Sequence, residues 1–598
     1  MKYIFPILLA TFLLVSCNDD KKPLPVIDED IAGRHNVAFD SLLSSYNEGL
    51  LKLNPLDATA IGDNRYNDTL PNFLSDRYKN QFQNFYLDFQ RQINNYKENT
   101  MSVDQIISKR IIEWECNMKL QSLKFNTNLT PINQFSTLQL AMGQMASGKG
   151  SQPFKTTKDY RNWIKRLHNY SDWLTTVKAK MEQGVKEKYV LPTALITKLT
   201  PQLKELSESD VKKHLFYTPV LNFPETVPAS DRAELTKEYD SIISTEIIPA
   251  YSKLYDYVST DYLKAGRKSS GISEVKDGTA LYNYYIKLYT TTDKTADEIH
   301  NLGLSEVKRI SKAMDSIKNV VGFKGSLKAF FDEVRHKKEL MPYSNADDVI
   351  AHFNSIHDKM LPQLETLFDL KPTTEFEVRR TEKFREASAS AEYNPGSLDG
   401  SRPGIFYVPI PDVAAYNTFS DESLFLHEAI PGHHYQISLQ QENDSLPGFR
   451  KNLWYSGYGE GWALYCESLG KELGLYEDPY QYFGMLSAEM HRAIRLVVDT
   501  GIHSKGWSRE KAIQYSLDNE AESKESITAE IERYMAIPGQ ALSYKIGQLK
   551  ILELRERAKK DLGDKFKIAE FHNQVLESGC LPLALLEEKI NIWIKAND

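Results

Sequence analysis

Only four cysteines occur in the 598 residues, and their wide spacing excludes a disulfide-stapled scaffold. The apolar run near the start, Tyr3 to Val15, is too short to span a bilayer as a helix. Strand-like alternation is sparse, and neither an internal repeat nor a low-complexity tract is present. No G-x-S-x-G elbow, Walker A loop or dinucleotide fingerprint occurs, so serine-hydrolase, nucleoside-triphosphatase and dinucleotide-dependent redox chemistry lack their usual carriers. The net charge is -8, with no basic footprint, which argues against nucleic acid as a partner.

What is present begins with an address. Met1-Lys2, the apolar run and then Leu14-Val15-Ser16-Cys17 read as a secretion signal ending in a lipobox. Residues 1–16 are expected to be removed and Cys17 acylated, so that the chain sits on a membrane through its lipid anchor only. Residues 17–35, charged and carrying Pro23 and Pro25, form a tether. The expected location is the bacterial outer membrane. The acidic pair Asp19-Asp20 resembles a surface-export signal of some Bacteroidetes lipoproteins, and both the cell surface and the periplasmic face stay open.

The body has an ordinary globular composition, 41% hydrophobic and 26% charged. Helical periodicity dominates it. Ile299, Leu302, Val307, Ile310, Met314 and Ile317 recur at three-to-four-residue steps behind a Thr295/Glu298 capping box. The same pattern returns through Ile350, Phe353 and Ile356, with Ser344 and Asp347 as start signals. Proline and glycine cluster between about 371 and 404, which divides a helical N-terminal portion (36–370) from a second portion (371–598). The run Ile405 to Ile410 is β-prone, and Pro409 confines it to an edge or a strand end. The fold expected is mainly α, with a small β element.

The chemistry concentrates in His427-Glu428-Ala429-Ile430-Pro431-Gly432-His433-His434 and in Gly459-Glu460-Gly461-Trp462 downstream. In an H-E-x-x-H helix two imidazoles one turn apart ligate Zn²⁺ and the glutamate is the general base. This chain has a longer spacing. On a regular helix His433 would stand roughly 120° off the face of His427, and His434 about 10 Å further along the axis. Neither suits Zn–N bonds near ~2.0 Å. Pro431 and Gly432 therefore predict a bulge or kink that absorbs the extra residues. His433 is then the favoured second ligand, with His434 as the alternative. Glu460, 33 residues after His427, is positioned on a following helix to supply a third ligand. Glu467, seven residues on, shares its face and could orient a ligand imidazole.

The stretches HEAIPGHHYQ, GYGEGWALYCE and IPGQALSYKIG, with weaker similarity in TADEIHNLGLSEV, GSLDGSRPGIFYV and FHNQVLESGCLPLALLE, resemble the bacterial domain-of-unknown-function family 885, which groups with the gluzincin zinc peptidases. The resemblance covers most of the mature chain. It implies a large helical zinc-peptidase fold with a deep cleft and one Zn²⁺ per chain on His427, His433 (or His434) and Glu460. It also implies a tyrosine hydroxyl from the C-terminal part for the oxyanion, here Tyr544, and an edge strand that pairs with the substrate backbone.

With zinc bound, Glu428 would be the general base. His503 could donate to the intermediate or stand as a satisfied helix-end histidine, and Arg402, Lys545 and Arg495 could receive a peptide's C-terminal carboxylate. The expected function is hydrolysis of short peptides, of carboxypeptidase or dipeptidase type. An inactive peptide-binding lipoprotein and a metal-dependent hydrolase of non-peptide amides are the alternatives. Cys466, within the Glu460 helix, reads as buried packing.

Overall fold

The computed structural model describes residues 34–597, except 149, 209, 384, 385, 387–389, 399 and 401. The signal segment, Cys17 and all but the end of the tether lie outside the described residues. Helices fill most of the chain, and no described helix is long and apolar enough to cross a membrane. The hydrophobic core runs from Phe39 to Ile594 and draws on residues before and after position 371. Cys116, Cys466 and Cys580 are buried and free.

Two long helices show how local signals set the elements. Helix α1 (Ala296–Val320) starts at the expected capping box, with Thr295 and Glu298 bonding each other's backbone, and buries Ile299, Val307, Ile310 and Met314. Helix α2 (Ala346–Leu367) buries Val349, Phe353, Ile356 and Met360. Its cap is Asn345, whose side chain accepts from the Asp347 N–H, so the expected Ser344 start is one residue early.

The proline- and glycine-rich stretch after α2 carries more order than expected. Strands β1 (Phe376–Arg380), β2 (Glu392–Asn394) and β3 (Gly404–Val408) form a three-stranded sheet in the order β1-β3-β2. β3 pairs parallel to β1 and antiparallel to β2. The β-prone run thus does end before Pro409, but it is the central strand. The reading of it as a substrate-pairing edge is overturned, because its hydrogen-bonding groups are used on both sides. β2 is an edge instead. Its three residues are too few and too polar to show as periodicity.

The chain then builds α3 (Asp421–Glu428), α4 (His433–Glu442), α5 (Ser456–Ser468), α6 (Pro479–Ser504), α7 (Lys524–Ala536) and α8 (Ser543–Leu562). α5 and α8 cross at their glycines. A Cβ on Gly461 would lie 2.5 Å from the Gly547 Cα, and one on Gly547 would lie 1.8 Å from the Gly457 carbonyl oxygen. That close approach fixes the depth at which α5, and with it Glu460, sits.

Candidate metal centre

The expected kink between the two histidine positions is a complete break. α3 stops at Glu428, the chain turns through Ala429 to Gly432 with a cis Ile430–Pro431 bond, and α4 restarts at His433. Gly432 packs so tightly that an added Cβ would stand 2.0 Å from the His427 carbonyl oxygen. The Pro431 carbonyl accepts from Trp462 Nε1 at 2.9 Å and lies 3.5 Å from Cys466 Sγ, which ties the turn to α5. Trp462 and Cys466 are fully buried, as their packing role requires.

Resetting the helix turns His433 toward His427. Their ring centroids are 4.9 Å apart and nearly perpendicular. Glu460 comes in from α5, with Oε2 3.7 Å from His427 Nε2 and 3.5 Å from His433 Nε2. One donor atom from each of the three lies within 4.8 Å of the others. Donors bonded at about 2.0 Å to one tetrahedral ion stand roughly 3.3 Å apart. The two Glu460 spacings, 3.5 and 3.7 Å, are close to that and long for hydrogen bonds between the same groups. The donor set, two imidazoles and a carboxylate, is of the kind that suits zinc.

The surroundings orient the donors. Glu467 Oε1 lies 2.7 Å from His427 Nδ1 and its Oε2 accepts from Ser423 Oγ at 2.8 Å, which leaves His427 Nε2 facing Glu460. Burial opposes the charged form of His427, but Glu460 and Glu467 outweigh it and lift its pKa to about 9. Burial likewise opposes the Glu460 carboxylate, yet the two imidazoles hold its pKa far below the ordinary carboxylate value. Glu428 follows His427 directly and is half-buried. Burial, with Glu460's charge added, raises its pKa against the pull of His427, His433 and Arg492. A carboxylate raised in this way is a better proton acceptor.

His434 does not join this group. Its Nδ1 meets Tyr393 Oη of β2 at 3.0 Å, its ring lies 4.8 Å from Phe376 of β1, and burial pushes its pKa down to about 4. The alternative ligand is therefore the residue on which the sheet rests, because successive residues on α4 point about 100° apart.

Other expected site residues are also reassigned. His503 is fully buried: Nδ1 accepts from the Ile272 N–H and Nε2 donates to the Tyr534 carbonyl, both at 3.0 Å. Burial lowers its pKa to about 3, and both nitrogens are used in bracing, so of its two expected roles it has that of the satisfied helix-end histidine and not of the catalyst. Lys545 is fully buried and bonds Glu489, Gln548 and Glu306 at 2.6, 2.7 and 3.0 Å, which leaves no donor for a substrate carboxylate. Arg495 is buried against Tyr534 and Glu530. Tyr544 lies under Arg495, 4.5 Å from its guanidinium carbon, with its hydroxyl 3.5 Å from Arg533, and so belongs to that arginine cluster. Arg402 is exposed on the wall of a cavity of about 1140 Å³.

Two neighbours went unnoticed in the sequence. Arg492 borders a cavity of about 150 Å³ that also touches His427, and it has no carboxylate at ion-pair distance among the described residues. Trp454 lies against His433 with ring centroids 5.8 Å apart and planes tilted by 57°, and stays 42% exposed. Neither residue carries a motif; the exposed tryptophan beside the second glycine-rich stretch was the one available hint.

The family profile described as "Bacterial protein of unknown function (DUF885)" matches residues 55–590. No curated protein matches. Among solved structures, a candidate lipoprotein from Colwellia psychrerythraea is similar at 29% identity and a TM-score of 0.87, over 94% of this chain and 99% of that one. A candidate lipoprotein of unknown function from Shewanella oneidensis shares the fold at 19% identity and a TM-score of 0.74, over 92% and 99% of the two chains.

Proposed function

This chain belongs to the DUF885 family of bacterial proteins, and we propose that it is a zinc-dependent metallopeptidase of gluzincin type that hydrolyses short peptides. The observation that carries the reading is the spacing of the His427, His433 and Glu460 donor atoms, with Glu428 beside them. When bound, zinc would supply a Lewis acid for the scissile carbonyl and a water acidified toward about 7.

The rest of the chemistry falls to the chain. Glu467 holds the His427 ring so that Nε2 faces the site. Glu428 takes the proton of the attacking water on its carboxylate and returns it to the leaving amine. Arg492, whose charge reaches Glu428, offsets negative charge that builds on the carbonyl oxygen. Arg402 is the one expected carboxylate receiver still exposed, which favours a carboxypeptidase or dipeptidase mode.

The first test is elemental analysis of the soluble chain from Asn18 onward. About one zinc per chain in the parent and little in His427→Ala supports the site, and a peptide library cleaved by the parent but not by Glu428→Gln supports the activity. A parent that takes up no zinc, or full turnover in Glu428→Gln, removes the proposal.

Anchoring by an acylated Cys17 on the outer membrane is part of the same reading. It is supported by the lipobox and by the description of the two similar structures as candidate lipoproteins. Cys17→Ser should move the protein from the membrane to the soluble fraction, and an unchanged distribution would exclude the anchor.

A further inference from the structure

The cavity of about 1140 Å³ joins the two portions of the chain: Gln152 and Lys155 line it from one side, Arg379, Arg402, Lys451 and Trp454 from the other. Its described wall carries no aspartate or glutamate, although acids outnumber bases 81 to 73 in the chain. Arg379 bonds Glu377 on its own strand at 2.6 Å and Lys451 pairs with the exposed Asp444 at 3.0 Å. The side chains of Lys155 and Arg402 are exposed and make no ion pair among the described residues, although the Lys155 backbone N–H donates to Asp159 Oδ2 at 3.1 Å.

Gln152 adds an independent sign. It is 2% exposed, its Oε1 accepts from Arg166 Nη1, and its Nε2 has no partner. Arg166 can only donate, so the amide orientation is fixed with the oxygen toward it. A buried N–H donor is thus left over in the cavity wall, where an acceptor oxygen would satisfy it. At the other end Trp454 leads to His433. A cleft lined by charge of one sign focuses its field on a ligand of the other. The volume exceeds the roughly 300–1,000 Å³ of sites for drug-sized molecules, so there is room for several residues.

We propose that this cavity takes an acidic stretch of peptide, with carboxylates at Lys155 and Arg402 and a backbone or side-chain oxygen on Gln152 Nε2, and that the chain passes Trp454 toward His433. The direction of the chain rests on the metallopeptidase reading; the charge preference does not.

Coumarin-labelled octapeptides alternating alanine with glutamate, glutamine or lysine are the probes, titrated by fluorescence anisotropy into the Glu428→Gln chain from Asn18 onward, with metal content measured on the same samples. The glutamate peptide should bind at least about tenfold more tightly than the glutamine peptide, and the gap should close between about 0.02 and 0.5 M salt. The double variant Lys155→Glu, Arg402→Glu should prefer the lysine peptide, and Lys155→Gln, Arg402→Gln should show no preference. Equal binding of the three peptides, or a glutamate preference that survives both double variants at an unchanged melting temperature, overturns the proposal. Charge-dependent binding by a zinc-free protein upholds the cavity and removes the metallopeptidase. Zinc and hydrolysis without charge preference do the reverse.

Discussion

Lys545 and Glu460 are both charges taken into the interior of the same half of the molecule, and their neighbours treat them differently. The three N–H donors of Lys545 meet three acceptors at 2.6 to 3.0 Å, and Arg309 supplies the second cation that balances Glu306 and Glu489. That cluster is neutral and saturated. Glu460, by contrast, faces two imidazoles at 3.5 and 3.7 Å, and the other ring nitrogen of one of them, His433 Nδ1, is buried without a partner. A finished ion network is a strut. Donors held at ligand distance from one another, and not at hydrogen-bond distance, are an offer to something else.

The comparison can be broken most directly at its chemical end. Glu428→Gln should lower turnover by about 10²–10⁴-fold with zinc content unchanged, as measured by initial rates on a cleaved library peptide. A variant that keeps its rate would mean that the open cluster does no proton chemistry. At the other pole, Lys545→Met leaves two buried carboxylates with one cation, and should cost about 3–5 kcal/mol in urea unfolding. Glu460→Gln, by the same measurement without metal, should cost much less. Equal costs would erase the distinction between strut and site.

A finer test lies one shell out. Glu467→Gln keeps the shape of the side chain but weakens the bond to His427 Nδ1, and zinc affinity should fall about 10–100-fold in a chelator competition. An unchanged affinity would assign Glu467 to packing alone.

The effect that vanishes at neutral pH concerns His503, whose structural role won over the catalytic one. Its pKa is about 3 in the fold and near 6.5 when unfolded. Between those values the unfolded chain binds the extra proton, so stability is complete above pH 6.5 and drains away as the pH falls toward 3. Replacing His503 with Gln should flatten the stability-against-pH curve in that window by about 1.4 kcal/mol per pH unit, read from urea midpoints at a series of pH values. An unaltered slope would contradict the buried, neutral assignment.

The sequence by itself determined the elements whose signals are local. The Thr295 capping box, the end of β3 before Pro409, a distortion at Pro431-Gly432 and the candidate positions His427, Glu428 and Glu460 all follow from neighbours within a few residues. The choice between His433 and His434 did not, because it depends on the angle at which α4 restarts, and that angle is set by Trp462 and Cys466 from α5 and by the sheet that claims His434. Tertiary structure alone also decided which cations are spent and which are free. Lys545, Arg495 and Arg402 look alike in a sequence, but Lys545 is saturated by acids contributed from 56 or more residues away, Arg495 is buried beside Glu530 with Nη1 left unpartnered, and Arg402 is left at an open wall. Charge is written residue by residue; whether it is satisfied depends on partners that only folding brings together.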